Sequence, residues 1–166
     1  GRSLGKQVCG GLYMLVAQAM QAQELWQGQA IPDAITKEIY DVLLKKQGMP
    51  RKLCLIGMPG SGKTTLGRQL ARKLGRPFID LDQYIEQIAG ESVAEIFAQG
   101  EAAFRSWETE ACRRLASEPE AVIACGGGVV LNPLNLEWLR KDAGEMIFID
   151  RPLADIAADI RAENRP

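Results

Sequence analysis

Gly57-Met58-Pro59-Gly60-Ser61-Gly62-Lys63-Thr64 is the stretch that most narrows what this chain can become. It follows the short apolar run Leu53–Ile56 and opens Lys63–Leu74, whose apolar residues recur at helical spacing until Gly75 and Pro77 stop it. A strand that turns through such a loop directly into a helix belongs to an α/β sheet, with its ligand crevice at the carboxyl ends of the strands. The glycines let backbone N–H groups curl around an anion, and the helix N-terminus adds its positive end. All eight positions fit G-x-x-x-x-G-K-[ST], in which the lysine reaches the β and γ phosphates and the Thr hydroxyl ligates Mg²⁺. A nucleoside triphosphate is therefore expected here. Without an Asn-Lys-x-Asp guanine-reading motif, ATP is preferred to GTP.

The residues beyond the loop alternate strands and helices. Phe78–Leu81 reads as a strand and Gln83–Ala89 as a helix behind a capping Asp82. Ser92-x-x-Glu95 is a capping box opening a short helix to Gln99, and Glu101–Ala116 is a longer helix. Ala121–Cys125 is a buried strand, Asn132-Pro133 caps a helix to Arg140, Met146–Asp150 is a strand, and Pro152–Glu163 is a last helix. This pattern predicts an α/β fold over residues 51–166, a parallel sheet with helices on both faces. Residues 1–50 read as a separate two-helix segment. Leu12–Trp26 is apolar at Leu12, Leu15, Val16, Ala19 and Met20, and a second helix from Asp33 buries Ile35, Ile39, Val42 and Leu43 before Gly48. Two helices bury little alone, so this segment is expected to dock on residues 51–166 or to drive self-association.

Composition removes several kinds of chemistry. The 166 residues include no histidine, which excludes Ser-His-Asp, Cys-His and His-ligated metal schemes. Lys plus Arg number 20 against 21 Asp plus Glu, so no basic nucleic-acid footprint is expected. The apolar stretches Val8–Gln23 and Ala121–Pro133 are too short and too diluted to span a membrane. Cys9, Cys54, Cys112 and Cys125 lie among apolar residues with no C-x-x-C spacing, which reads as reduced, mostly buried thiols in a cytoplasmic protein.

Two carboxylates are candidates for the second metal contact: Asp80, in Phe78-Ile79-Asp80-Leu81-Asp82, and Asp150, at the end of Met146–Asp150. Asp80 is preferred, because in an extended strand Asp80 and Asp82 share a face, one toward a metal and the other toward an acceptor hydroxyl. Arg105 and Glu108 stand three apart on one helix face and, taken alone, read as a surface ion pair. Gly126-Gly127-Gly128 bares the backbone directly after a buried strand, where ligands of open α/β sheets bind.

Together, Gly57–Thr65, Phe78–Asp82, Ile96-Phe97, Gly100-Glu101 through Glu108, and Val122–Val130 resemble shikimate kinase in order and spacing. The resemblance implies transfer of the ATP γ-phosphoryl group to the 3-hydroxyl of shikimate, with ATP held by Gly60, Ser61, Gly62, Lys63, Thr64 and Thr65. It also implies that Lys63, Asp82 and Arg165 are catalytic, with Asp82 on the acceptor hydroxyls and Arg165 as a lid arginine over the phosphates. Arg105 would pair with the shikimate carboxylate, and Gly126, Gly127 and Gly128 would line the substrate. The family's pattern continues beyond Pro166, and its adenine-stacking arginine has Arg161 as nearest counterpart, displaced toward the lid. Less specific alternatives are a gluconate kinase-like enzyme and a non-catalytic nucleotide-binding module. Gly10–Ala19 with Glu24–Gly28 resembles the C-terminal end of shikimate dehydrogenase, which would put Gly11 by the nicotinamide of NADP and Gln18 on shikimate. That pairing implies a bifunctional parent chain.

Overall fold

The structure, a computed structural model, describes residues 15–18 and 50–152. Five strands form one parallel sheet: β1 (Leu15–Gln18), β2 (Lys52–Ile56), β3 (Phe78–Asp80), β4 (Ala121–Ala124) and β5 (Gly144–Asp150), in the order β1-β5-β2-β4-β3. The helices are α1 (Lys63–Leu74), α2 (Leu81–Ala89), α3 (Val93–Ala98), α4 (Glu101–Leu115) and α5 (Pro133–Arg140). No helix among the described residues is long and apolar enough to cross a membrane.

Helices cover both faces, which explains why β2 and β4 are buried along their whole length rather than on alternate residues. Leu53 and Leu55 of β2 point to one core with Val122, Ile147 and the α1 residues Leu66, Leu70 and Ala71. Cys54 and Ile56 point to the other, with Leu81, Ile85, Ile96, Phe104, Leu115, Ile123 and Leu139. Lys52, fully buried at the start of β2, sends its ammonium to the end of α4 and donates to the Ala116 carbonyl at 2.7 Å. A lysine buried this way satisfies a helix-terminal carbonyl that no intrahelical N–H reaches.

Most predicted elements form within a residue or two of their expected limits. The Ser92 capping box is complete, and Asn132 caps α5 ahead of Pro133. One cap moves: Asp80, not Asp82, accepts the Asp82 N–H at 3.2 Å and starts α2 at Leu81. Asp80 and Asp82 therefore do not share a strand face, because Asp82 lies in the first helical turn. The predicted helix Leu12–Trp26 is corrected over its described residues, Leu15–Gln18. Leu15–Gln18 is extended and pairs parallel to β5, Leu15 opposite Ile147 and Gln18 opposite Asp150. An outer strand edge presents unpaired N–H and C=O groups, and a segment that meets it gains a backbone ladder, which overrides a helical pattern of side chains. Cys54, Cys112 and Cys125 are buried and free, as expected. The second predicted N-terminal helix, the helix from Pro152, Gly11, Cys9, Arg161 and Arg165 lie outside the described residues.

Candidate active site

Every strand from β2 to β5 delivers a polar element at its carboxyl end, so the functional groups collect along one rim of the sheet. After β2 comes the phosphate loop. Gly57 must be glycine there: a Cβ would lie 2.5 Å from the Ile149 carbonyl oxygen, so the loop root packs directly on β5. Gly62 caps α1 in the left-handed region. The loop closes on itself through Ser61 N–H to the Met58 carbonyl, 3.1 Å. Lys63 folds over it, its ammonium donating to the carbonyls of Gly57 (3.0 Å) and Met58 (2.7 Å). Loss of hydration pulls the Lys63 pKa below its ordinary value, against the pull of Cys125, Asp82 and Asp80. Gly60, Ser61 and Thr64 stand around this ammonium's loop, and Thr65 is exposed on the next position of α1.

Thr64 Oγ1 donates to Asp80 Oδ2 at 3.0 Å. This contact brings the predicted metal ligands together. Hard oxygens from one hydroxyl and one carboxylate fit Mg²⁺, which keeps most of its ligands as phosphate oxygens and water. Asp150, the last residue of β5, lies on the same rim but is exposed. Asp82 follows at the mouth of the crevice, with part of its surface open to solvent. There, lost hydration and the neighbouring Asp80 raise its carboxyl pKa, while Lys63 and Arg105 lower it.

Arg105 and Glu108 do not form the solvated surface pair that their spacing suggests. Glu108 is 1% exposed, and the Arg105 Nη1 lies 3.2 Å from each of its carboxylate oxygens. Glu101 takes the guanidinium's other edge at 3.0 Å, and the ring of Phe104 lies 5.4 Å beneath Arg105, stacked in turn on Phe97. Burial pushes the Glu108 carboxyl up, opposed by Arg105.

The three glycines after β4 sit where these parts converge. A Cβ on Gly126 would come within 3.0 Å of Asp82 Oδ1 and 3.4 Å of Glu108 Oε1; on Gly127, within 3.0 Å of Pro59 Cδ in the phosphate loop. On Gly128 it would overlap the Arg105 guanidinium, 2.6 Å from Nη2. Gly128 has φ −92°, which any residue adopts, so close approach and not backbone freedom demands glycine.

Sequence reasoning missed two residues. Arg151, just after β5, is buried and donates to the Gly60 carbonyl at 2.9 Å, bracing the phosphate loop from 91 positions away. Asn135 on α5 is fully buried and donates toward Glu108 at 3.4 Å. Neither carries a local motif; only the Asp-Arg-Pro step after a strand offered any signal for Arg151.

A parallel sheet with a phosphate-binding loop, a Thr64–Asp80 hydrogen bond beside it and a separate cluster of carboxylates around a guanidinium has the build of a nucleotide-dependent kinase of the P-loop class. The shikimate kinase family model matches residues 59–166. The shikimate kinase of Clostridium beijerinckii is 44% identical over 118 residues, covering 71% of this chain and 69% of that protein. Shikimate kinase 1, chloroplastic, of Arabidopsis thaliana is 44% identical over 121 residues, 39% of its length. Among solved structures, shikimate kinase from Acinetobacter baumannii in complex with shikimate superposes with a TM-score of 0.63 at 38% identity, over 70% of this chain and 65% of that one. The chain belongs to the shikimate kinase family, and it spans about two thirds of the length of these bacterial relatives. A sugar kinase from Janibacter, at 20% identity and a TM-score of 0.52, shares the fold.

Proposed function

We propose that the chain transfers the γ-phosphoryl group of ATP to the 3-hydroxyl of shikimate, giving ADP and shikimate 3-phosphate. The observation that carries this reading is the glycine run. Its three missing Cβ atoms let the phosphate loop, Asp82 and the Arg105–Glu108 pair approach one another. The loop and Lys63 hold the phosphates, and fixed charge of this kind supplies most of the stabilisation in phosphoryl transfer. Thr64 and Asp80 would hold Mg²⁺, which when bound offsets charge on the β and γ phosphates. Asp82 accepts the hydrogen bond of the acceptor hydroxyl and takes its proton, a role favoured by its raised pKa. Arg105 pairs with the shikimate carboxylate through its planar fork, and Arg165 closes over the phosphates by family resemblance.

The test is ADP release by the protein expressed from its complete reading frame, with ATP, Mg²⁺ and a panel of acceptors. Shikimate-dependent release alone supports the reading. Release with gluconate instead points to another small-metabolite kinase, and binding of ATP without release to a non-catalytic module. On the strength of Gly10–Gly28, residues 1–50 are assigned to the end of a shikimate dehydrogenase-like domain ahead of residues 51–166 in a cytoplasmic bifunctional enzyme, with Leu15–Gln18 joining the edge of the kinase sheet. Oxidation of NADPH by 3-dehydroshikimate with the same preparation tests that assignment, and sedimentation tests self-association through residues 1–50.

A further inference from the structure

We propose that Asn135 is a positioning residue for the acceptor site: its carboxamide fixes Glu108, and through Glu108 the Arg105 guanidinium, in the orientation that receives the substrate carboxylate. The inference rests on the assignment of Arg105 to that carboxylate.

Asn135 lies in the first turn of α5, which docks on α4 through two side-chain contacts. Asn132 Nδ2 donates to Thr109 Oγ1 at 3.1 Å, and Asn135 Nδ2 reaches Glu108 Oε2 at 3.4 Å. The same Nδ2 also reaches the Val129 carbonyl at 3.3 Å, in the turn that leaves the glycine run. Both partners are acceptors, so the amide orientation is chemically fixed: reversed, it would set oxygen against two oxygens. One amide thus ties together the helix that carries Arg105 and the loop that carries Gly126–Gly128.

Glu108 needs such support. Its carboxylate is almost fully buried, and the groups facing it are Arg105 on its own helix, Asp82 at the start of α2, Cys112 one turn on, and Asn135. Arg105 is half-buried and also drawn outward by the exposed Glu101. Without a donor behind it, the Glu108 carboxylate turns or takes up a proton, and the guanidinium follows Glu101 away from the glycine run. Asn135 Oδ1 is buried without a hydrogen-bond partner, a cost an apolar residue would not bear; what position 135 contributes is therefore its N–H donors.

The test is calorimetric binding of shikimate and of ATP to the full chain, in the wild type, Asn135→Ala, Glu108→Gln and the double variant. Asn135→Ala is expected to weaken shikimate roughly tenfold with ATP affinity held within about twofold, the scale of one charge-assisted hydrogen bond. In the Glu108→Gln background the same change is expected to add less than about twofold, the mark of a residue acting through Glu108. Asn135→Asp keeps the residue's size, replaces its donor by a second carboxylate, and should weaken shikimate at neutral pH at least as much; it serves if the alanine variant unfolds. Unchanged shikimate affinity, equal loss for both ligands, or an undiminished loss in the Glu108→Gln background overturns the proposal while leaving the kinase reading intact. A wild-type chain that binds ATP but not shikimate overturns both.

Discussion

Substituting Gly128 by alanine separates the acceptor pocket from the nucleotide pocket with a single methyl group. The backbone at Gly128 accepts alanine without strain, so the whole effect comes from overlap of the new Cβ with the Arg105 guanidinium. The overlapped atoms are the tip of a long side chain that is one-third exposed, so Arg105 swings outward rather than the loop moving. That swing breaks its contact to both oxygens of Glu108 and leaves a buried carboxylate with only the long Asn135 contact. A hydrogen bond to a charged group contributes about 1.5–3 kcal/mol; with Asn135 retained and Arg105 rehydrated, a loss of about 1–2 kcal/mol is expected. At about 2–4 °C per kcal/mol for a chain of this size, the melting point should fall by about 2–8 °C. Shikimate affinity should fall about ten- to a hundredfold, because a bidentate guanidinium–carboxylate contact is lost, while ATP affinity stays within about twofold. Gly127→Ala, one residue earlier, presses on Pro59 and should reverse the pattern, raising the KM for ATP more than that for shikimate. Steady-state kinetics of both variants decide the matter. If Gly128→Ala leaves the shikimate KM unchanged, or raises both KM values equally, the steric account of the glycine run is wrong.

Lys63→Met should lower turnover by orders of magnitude with a nearly unchanged melting curve, as read by ADP release and calorimetry. Asp82→Asn and Arg105→Ala should weaken shikimate binding while ATP affinity stays within a few-fold; loss of ATP binding alone would reverse the assigned roles. Arg151→Met removes the brace on the Gly60 carbonyl and should raise the ATP KM a few-fold, with Arg151→Lys recovering part of it. Burial raises the Glu108 pKa above its ordinary 4.5, so the folded chain binds that proton more tightly than the unfolded one. Its contribution is fully present below about pH 4.5 and declines as pH rises through the raised value. Urea titrations from pH 4 to 8 should show wild-type stability falling relative to Glu108→Gln, and a rise would mean that Arg105 outweighs burial.

The phosphate loop could be read in full because its chemistry fixes residue types at fixed spacing, and Lys63, Thr64 and the limits of α1 fall where the sequence puts them. The glycine run was readable as a bare backbone, though not its reason: the atoms that exclude a Cβ come from Asp82, Pro59 and Arg105, on three different segments. Glu108 shows the limit of local reasoning. Helical spacing pairs it with Arg105, but whether that pair is solvated depends on α5 lying across it. Asn135 and Arg151 act across 27 and 91 positions, and no local pattern encodes such partners. The cap of α2 lies two residues before the one the sequence suggests, since Asp80 and Asp82 are both good caps and only the end of β3 chooses between them. At Leu15–Gln18 a side-chain period pointed to helix while the open edge of β5 offered backbone partners.

The two cores on either side of the sheet divide more than packing. Residues of β2 contribute alternately to the layer beneath α1, which opens with Lys63 and Thr64, and to the layer beneath α2, α4 and α5, which carries Asp82, Arg105 and Asn135. A change of volume at Cys54 or Ile56 should thus be felt first under α2, α4 and α5, and one at Leu53 or Leu55 first under α1.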